Sequence, residues 1–307
     1  MKYLGFDIGG TKSAVILADE NAKIIKKEKF PTSDPKTTIE KLFSIAESFN
    51  TKFDGIGFSC GGPLDEKRGV ILSPPNLPGW DNIPIIEMTE KRFGIKANIK
   101  NDANACALAE WRFGAGKGSK NMAFLTFGTG LGAGLILNGK LYEGTNGNAG
   151  EIGHIRLSDY GPCGYGKIGS MEGFVSGAGL AQLGISLANE QFQQGNNVSY
   201  CTRETIHSLT AADLANAARK GDKIATRAFD ICGEMLGRGL SVLVDILNLE
   251  RIVIGSVFAR CEDLLCPSMN KAMQKECLPT SLDVVQVKPA LLGEAIGDIA
   301  AICVAME

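Results

Sequence analysis

The sequence lacks any apolar run long enough to cross a membrane, and its opening segment, MKYLGFDIGG, lacks the apolar core of a signal peptide. It also lacks an excess of charge of either sign, because 32 Lys and Arg residues nearly balance 34 Asp and Glu residues. The net charge of −2 gives no reason to expect nucleic acid or an anionic membrane as a partner. These absences predict a soluble, cytoplasmic protein.

The cysteines show no sign of a disulfide framework. There are nine, an odd number, scattered singly through apolar segments such as DICGEML and AAICVAM, which indicates reduced thiols. With 307 residues, of which 44% are hydrophobic, the chain is long enough for two compact domains with cores of their own.

Two stretches share one pattern of strands and turns. KYLGFDIGGTKSAVILADENAKIIKKEKF has the pattern strand, glycine-rich turn, strand, polar turn, strand. NMAFLTFGTGLGAGLILNGKLYEG repeats this pattern, with Asn138-Gly139 as a type I′ hairpin signal. A meander at the start of each half predicts two similar domains facing each other, with α/β sequence between the meanders and a boundary near Gly114–Lys120.

Apolar periodicity predicts the remaining elements. The predicted helices cover residues 35–49, 82–93, 102–113, 177–190, 210–219, 222–248 and 292–306. The predicted strands cover residues 54–60, 96–100 and 251–255, and another helix follows the last of them. The final helix is apolar on most faces and is therefore predicted to be buried.

The first glycine-rich turn has the composition of an anion-binding loop. In FDIGGTK, Gly9 and Gly10 end an apolar strand, permit positive φ, and let backbone N–H groups point at an anion. Thr11 adds a hydroxyl, Lys12 a positive charge, and Asp7 a carboxylate for hydrated magnesium. When this turn is considered alone, an ordinary tight hairpin is the better explanation.

The second turn, FGTGLGAG, places Thr129 between Gly128 and Gly130. It is not a Rossmann fingerprint, because its glycines fall at every second position and strands flank it. Two such hairpins at equivalent places in two halves favour a polyphosphate clamp over two chance turns.

HIRLSDYGPCGYGKIGSMEGF, residues 154–174, raises two further possibilities, a phosphate loop and a metal site. The phosphate loop is excluded, because Ile168 replaces the Ser or Thr that reaches magnesium and a mostly polar segment precedes the first glycine. His154 and Cys163 could supply two metal ligands, which is half of a metal site.

Over essentially its whole length, the chain resembles the ROK family (repressors, open reading frames and sugar kinases) of the actin and hexokinase-like ATPase superfamily, including its glucokinase-, fructokinase- and N-acetylmannosamine kinase-like members. DIGGTK and GTGLGAG resemble the two phosphate motifs, and NDANACALAE the catalytic Asn-Asp segment. GNAGEIGH resembles the Glu-x-Gly-His motif, whereas GFSCGGPLD and PNLPGW resemble the sugar-side loops, although the first usually has Pro between its glycines. IVIGSVF is similar to the adenosine motif, with Ser256 where a second Gly is common.

The resemblance implies an α/β fold of two actin-like (ribonuclease H-like) lobes with a nucleotide and sugar cleft between them. Residues 1–118 would form the N-terminal lobe and residues 119–291 the C-terminal lobe, with helix 292–307 packed back on the first. It also implies a homodimer, which the sequence itself supports only through the apolar helices of its second half.

The resemblance further implies an ATP-dependent transfer of phosphate to a sugar, with Asp102 as general base. A helix N-cap is the alternative role for Asp102, but it does not explain the preceding Asn101. The implied sugar-binding residues are Gly62, Asn76, Asn101, Asp102, Glu151, His154 and Glu172. A structural histidine with satisfied hydrogen bonds is the alternative role for His154.

The implied ATP-binding residues are Asp7, Gly9, Gly10, Thr11, Lys12, Gly128, Thr129, Gly130, Gly255 and Ser256, with Asp7 binding magnesium through water.

Repressors of this family carry an additional N-terminal helix-turn-helix domain, whereas this chain begins close to its first phosphate strand, so no DNA-reading element is expected. We therefore predict a cytoplasmic sugar kinase that uses ATP and magnesium and acts on a hexose or N-acetylhexosamine. A non-catalytic sugar-binding regulator without a DNA-binding domain is the alternative.

Many ROK-like proteins hold a structural zinc through the His of Glu-x-Gly-His and a C-x-C-G-x-x-G-C-x-E segment. With Glu172 as the anchor, Cys163 takes the first Cys position, but Tyr165 and Ser170 replace the other two. Two ligands are too few for a closed tetrahedral site, so zinc is predicted to be absent. Tyr165 and neighbouring apolar contacts are then expected to hold the loop.

Overall fold

The structure is a computed structural model that describes every residue from Met1 to Glu307. Its strands are β1 (Lys2–Ile8), β2 (Lys12–Asp19), β3 (Ile24–Pro31), β4 (Gly55–Cys60), β5 (Leu64–Asp65), β6 (Val70–Ile71), β7 (Ala97–Asn101), β8 (Met122–Phe127), β9 (Leu131–Leu137), β10 (Lys140–Tyr142), β11 (Cys163–Gly164), β12 (Lys167–Ile168), β13 (Arg251–Ile254) and β14 (Gln286–Pro289). Its helices are α1 (Pro35–Ser48), α2 (Ile85–Phe93), α3 (Asp102–Phe113), α4 (Met171–Phe174), α5 (Gly177–Gln193), α6 (Ala211–Arg219), α7 (Lys223–Leu247), α8 (Val257–Glu276), α9 (Pro279–Leu282) and α10 (Ile296–Ala305).

The chain forms two compact units. The first contains Met1–Ser119, Gly134–Ala149 and Leu291–Glu307, and the second contains Lys120–Ala133 and Gly150–Ala290. The predicted lobes, 1–118 and 119–291, differ from these units mainly at residues 134–149, and their limits stay a prediction.

Two five-stranded sheets have the same order of strands. The first is β3-β2-β1-β4-β7 and the second is β10-β9-β8-β13-β14. In the first sheet, β1, β2 and β3 form an antiparallel meander, and β4 lies parallel to both β1 and β7. In the second, β10 runs antiparallel to β9, and β13 lies parallel to both β8 and β14. The repeated order confirms two similar α/β halves.

Local signals predicted several element boundaries. Helix α3 covers the predicted residues, and Asn138 and Gly139 have φ values of 54° and 71°, as a type I′ hairpin requires. Helix α2 begins three residues later than predicted, because Asn82 has a φ of 55° and the residue before Pro84 disfavours helix. The final helix also begins later, after a 3₁₀ turn at Gly293–Ala295.

Helix α10 is buried, as its apolar composition predicted, and it packs against β1, β4 and α3. Glycines in the sheet permit this close approach, since a Cβ on Gly57 would collide with backbone atoms of Ala301 and Ala305. Beneath the other face of the sheet, Phe6 and Phe58 stack with ring centroids 4.7 Å apart. None of the helices combines the length and apolar content that crossing a bilayer requires.

Candidate active site

Three neighbouring parallel strands of the first unit end at one edge of their sheet. Ile8 of β1 pairs with Cys60 of β4, and Cys60 pairs with Asn101 of β7. The first glycine-rich turn, the loop that contains Gly62, and Asp102 directly follow these three strand ends. The parallel register therefore brings together predicted site residues from three separate segments of the sequence.

Asn76 reaches the same edge from a long loop. A Cβ on Gly61 would lie 3.3 Å from Asn76 Nδ2, and a Cβ on Gly10 would collide with the backbone oxygen of Asn76. Neither Gly9 nor Gly10 has a φ between +20° and +160°, so this turn does not use the positive φ that glycine permits. At Gly10 the close approach of Asn76 requires glycine instead.

Asp7 is a partly buried carboxyl group at the end of β1. Burial, and then the negative charge of Asp298, raise the pKa of Asp7 to about 6, against the opposing effect of Lys29. Asp298 is itself buried and pairs with Lys27. A Cβ on Gly297 would lie only 3.0 Å from Asp7 Oδ2, so the carboxyl group faces the first turn of α10.

Asn101, rather than Asp102, is the N-cap of α3. The Oδ1 atom of Asn101 accepts a hydrogen bond from the backbone N–H of Asn104 at 2.8 Å. Asp102 is the first helical residue, so the alternative interpretation of Asp102 as an N-cap is wrong. The capping role accounts for the amide oxygen of Asn101 and leaves the Asp102 carboxyl group to be explained.

The Asp102 side chain is exposed to solvent, which a group that meets a substrate requires. The protein around it nevertheless disfavours the charged form and raises its pKa, while the Ala103 N–H, which donates to Asp102 Oδ1 at 2.9 Å, opposes this effect. A carboxylate with a raised pKa is a stronger base than an ordinary one.

Sequence reasoning missed the acid Glu66, which contacts the start of α3 from the loop after β5. Its Oε1 atom accepts a hydrogen bond from the backbone N–H of Asn101 at 3.1 Å. The charged run DEKR contains this residue, but no spacing rule connects it to a strand end 35 residues later. Only the fold reveals the contact.

In the second unit, two glycine-containing segments also follow neighbouring parallel strands. Strand β8 leads into Gly128 and β13 leads into Gly255 and Ser256, and Leu125 pairs with Ile254 just before these ends. A Cβ on Gly128 would lie 3.8 Å from Ser256 Oγ. Ser256 has a φ of 55°, a conformation that glycine adopts more readily, and it immediately precedes α8.

Two neighbours of this second turn were not predicted. The backbone N–H of Gly177, at the start of α5, donates to the Gly128 carbonyl at 2.8 Å. Arg260 Nη2 lies 3.3 Å from Ser256 Oγ. An Arg four residues after Ser256, on a predicted helix, was the available signal for the second contact.

Glu172 lies directly against the second glycine-rich turn. Its Oε2 atom accepts a hydrogen bond from Leu131 N–H at 2.9 Å, and a Cβ on Gly130 would lie 2.7 Å from the same oxygen. Gly128 and Gly130 also lack positive φ, so the close approach of a carboxylate is what favours glycine at position 130. Within the second unit, the predicted phosphate turn and a predicted sugar-binding acid are thus adjacent.

The Glu151–His154 segment leads into the loop with the zinc-like spacing. Glu151 and His154 are exposed, and the His154 ring lies edge-on to Tyr165 with centroids 6.4 Å apart. Tyr165 is 77% exposed, so the expectation that its apolar contacts hold the loop is wrong.

Hydrogen bonds hold this loop instead. Lys167 Nζ donates to the His154 carbonyl at 2.6 Å, and Gln182 pairs with both backbone groups of Cys163 at 2.9 Å. No group of three or more His, Cys, Asp or Glu side chains is arranged to hold a metal ion. The absence of zinc from the purified protein stays a prediction.

The two sheets and the residues at their edges define an α/β protein with paired glycine-rich turns. The model of the ROK family matches residues 3–306, so the chain belongs to the ROK family. This result confirms the resemblance.

Individual relatives agree with the family. A glucokinase of Thermotoga maritima is 30% identical over 313 residues, covering 100% of this chain and 98% of the glucokinase. The solved structure of a ROK family glucokinase from Streptomyces griseus, in complex with glucose and AMPPNP, is 30% identical, with a TM-score of 0.78 over 100% of this chain and 99% of that one. A xylose repressor of Caldicellulosiruptor bescii is 30% identical, covering 82% of this chain and 65% of the repressor. The structural match confirms the predicted actin-like α/β fold class.

Proposed function

We propose that this protein is an ATP-dependent sugar kinase that phosphorylates a hydroxyl group of a hexose or N-acetylhexosamine, with Asp102 as the general base. The observation that carries the proposal is the Asp102 carboxyl group. It is accessible, has a raised pKa, and lies at the strand edge that also presents the first glycine-rich turn. Full-length similarity to a glucokinase supports the same chemistry.

In this mechanism Asp102 accepts the proton of the attacking sugar hydroxyl. The N-cap hydrogen bond of Asn101 fixes the start of α3 and so the position from which Asp102 acts. Asn101 and Asn76 would bind sugar hydroxyls from the first unit, where the Asn76 side chain lies beside Gly61 and the Gly62 loop. Glu151, His154 and Glu172 would bind sugar hydroxyls from the second unit.

ATP with magnesium supplies the phosphoryl group and neutralises its developing charge. In the first unit, the backbone of the turn at residues 9–12 and the side chains of Thr11 and Lys12 would hold phosphate oxygens. In the second unit, Gly128, Thr129 and Gly130 would do the same, with Gly255 and Ser256 at the adenosine. Asp7 suits magnesium bound through water, because burial and Asp298 disfavour its charge and a cation would offset that cost.

The experiment is an assay of ADP release with ATP, magnesium and a panel of hexoses and N-acetylhexosamines. We expect turnover with at least one sugar of the panel and a strong loss of turnover in Asp102→Asn. No sugar-dependent ADP release from folded protein would reject the kinase.

The similarity to a xylose repressor favours one second candidate, a sugar-binding regulator without catalysis. Calorimetry separates the two functions, since a regulator would bind a sugar of the panel with no ADP release. The similarity to glucokinases over the full chain makes the kinase the better supported function.

A further inference from the structure

A cluster of three ionisable side chains lies beside the start of α3. Lys100 Nζ, from β7, lies 3.1 Å from Glu66 Oε2 and also pairs with Glu143, which follows β10. The side chains of Glu66 and Lys100 are only 9% and 15% exposed. Ions so buried are costly unless they are paired, so this cluster differs from a solvated surface ion pair.

Glu66 connects the cluster to the candidate active site. While Oε2 contacts Lys100, Oε1 accepts the hydrogen bond from the Asn101 backbone N–H at 3.1 Å. Asn101 caps α3, and the next residue is Asp102. One carboxyl group therefore restrains the strand end from which the predicted base projects.

The cluster contains two carboxyl groups for one ammonium group. Burial, and then a hydrogen bond with Glu143, raise the pKa of Glu66 to about 7, against the effect of Lys100. Burial also disfavours ionisation of Glu143, but its hydrogen bonds with Glu66 and Lys100 outweigh burial and lower its pKa, with Lys67 assisting. Below neutral pH the proton of this pair is therefore favoured on Glu66 rather than on Glu143.

We propose that Glu66 is a positioning residue for phosphoryl transfer: it holds the Asn101 backbone and thereby sets the position of the Asp102 carboxyl group. The proposal rests on the proposed kinase function. Its physical basis is the sensitivity of transfer reactions to misplacement of reacting groups, where about 1 Å costs up to about 10²-fold in rate.

The test compares Glu66→Leu with Glu66→Gln. Leucine removes the acceptor for Asn101 N–H, so kcat should fall about tenfold while KM for ATP stays unchanged. Glutamine keeps an acceptor oxygen, so it should restore most of the loss. The matched control is Glu90→Leu, because Glu90 Oε1 accepts the N–H of Ala97 at 3.1 Å, at the opposite end of β7. The control should leave kcat unchanged.

A pH series distinguishes positioning from simple structural support. An ionised carboxylate accepts a hydrogen bond more strongly than a neutral acid. The ratio of wild-type kcat to Glu66→Gln kcat should therefore rise as pH increases through about 7, where Glu66 ionises. A ratio that does not change with pH would overturn the proposal, and this comparison remains decisive if Glu66→Leu does not fold.

The backbone amide of Asn101 provides a readout that is independent of turnover. By NMR its proton shift should follow pH around neutrality in the wild type but not in Glu66→Gln, and its hydrogen exchange should accelerate in Glu66→Leu. Wild-type turnover of Glu66→Leu overturns the proposal whatever the amide does. If the wild-type protein phosphorylates no sugar, the kinase function itself fails, and the amide alone decides whether Glu66 controls Asn101.

Discussion

Replacing Asp102 by Asn separates the catalytic role of this side chain from its structural role. Asp102 is the first residue of α3, and its Oδ1 atom accepts the Ala103 N–H at 2.9 Å. The amide oxygen of Asn can accept the same hydrogen bond, and the Asn101 cap is untouched. The substitution therefore removes the base while it preserves the local contacts.

The expected effects of Asp102→Asn on kcat and on folding stability differ in size. Loss of a positioned general base lowers kcat by about 10²–10⁴-fold, which corresponds to roughly 3–5 kcal/mol of activation free energy. Loss of a negative charge in the first turn of a helix costs only about 0.3–1 kcal/mol of folding stability. We therefore expect a large fall in kcat and a melting temperature within a few degrees of the wild type.

The assay is sugar-dependent ADP release, with sugar affinity measured separately by calorimetry. Asp213→Asn is the matched control, because Asp213 is the first-turn acid of α6 and belongs to its capping box. That control should retain wild-type kcat. Wild-type turnover in Asp102→Asn would refute the assignment of the base, and a severe loss of stability would show that its main role is structural.

Three further outcomes are expected. Gly57→Ala should destabilise the protein by about 1–3 kcal/mol, because its Cβ would collide with the α10 backbone. Gly128→Ala should change the melting temperature little, because its Cβ would lie 3.8 Å from the nearest atom, Ser256 Oγ. Equal effects of the two substitutions would contradict the packing argument. Elemental analysis should find well under one zinc per chain and chelator should leave the melting temperature unchanged, whereas stoichiometric stabilising zinc would contradict the two-ligand loop. Sedimentation at micromolar concentration should show a homodimer, and a monomer would reject that family-based expectation.

Much of the fold could be predicted because its signals are local. Alternating and apolar strands separated by glycine-rich turns mark the two meanders, and the Asn-Gly pair at residues 138–139 specifies its own hairpin. Helix α3 has its polar cap, Asn101, and its terminal Gly114 immediately on either side of the predicted segment 102–113. Where the prediction failed, at the starts of α2 and α10, backbone conformations at Asn82 and Gly293 delay the helix.

Part of the candidate site could also be predicted, but from motifs rather than from local signals of secondary structure. Asp7 was identified from the composition of its glycine-rich turn, whereas Asn76 and Asp102 were identified through the family resemblance. The register of three parallel strands explains why these distant segments meet in the first unit. The roles of individual atoms did not follow from the motifs. Asn101 caps the helix that Asp102 was considered to cap, and hydrogen bonds replace the expected apolar contacts around Tyr165.

The sequence by itself determined the family, the two meanders and the glycine-rich turns, because each depends on residues that are neighbours in the chain. Only the tertiary structure decided why particular glycines are needed, since the groups that crowd Gly10 and Gly130 belong to Asn76 and Glu172, more than 40 residues away. It likewise decided that Glu66 contacts Asn101. Such contacts arise when sheet register and loop packing bring distant segments together, and no local pattern encodes them.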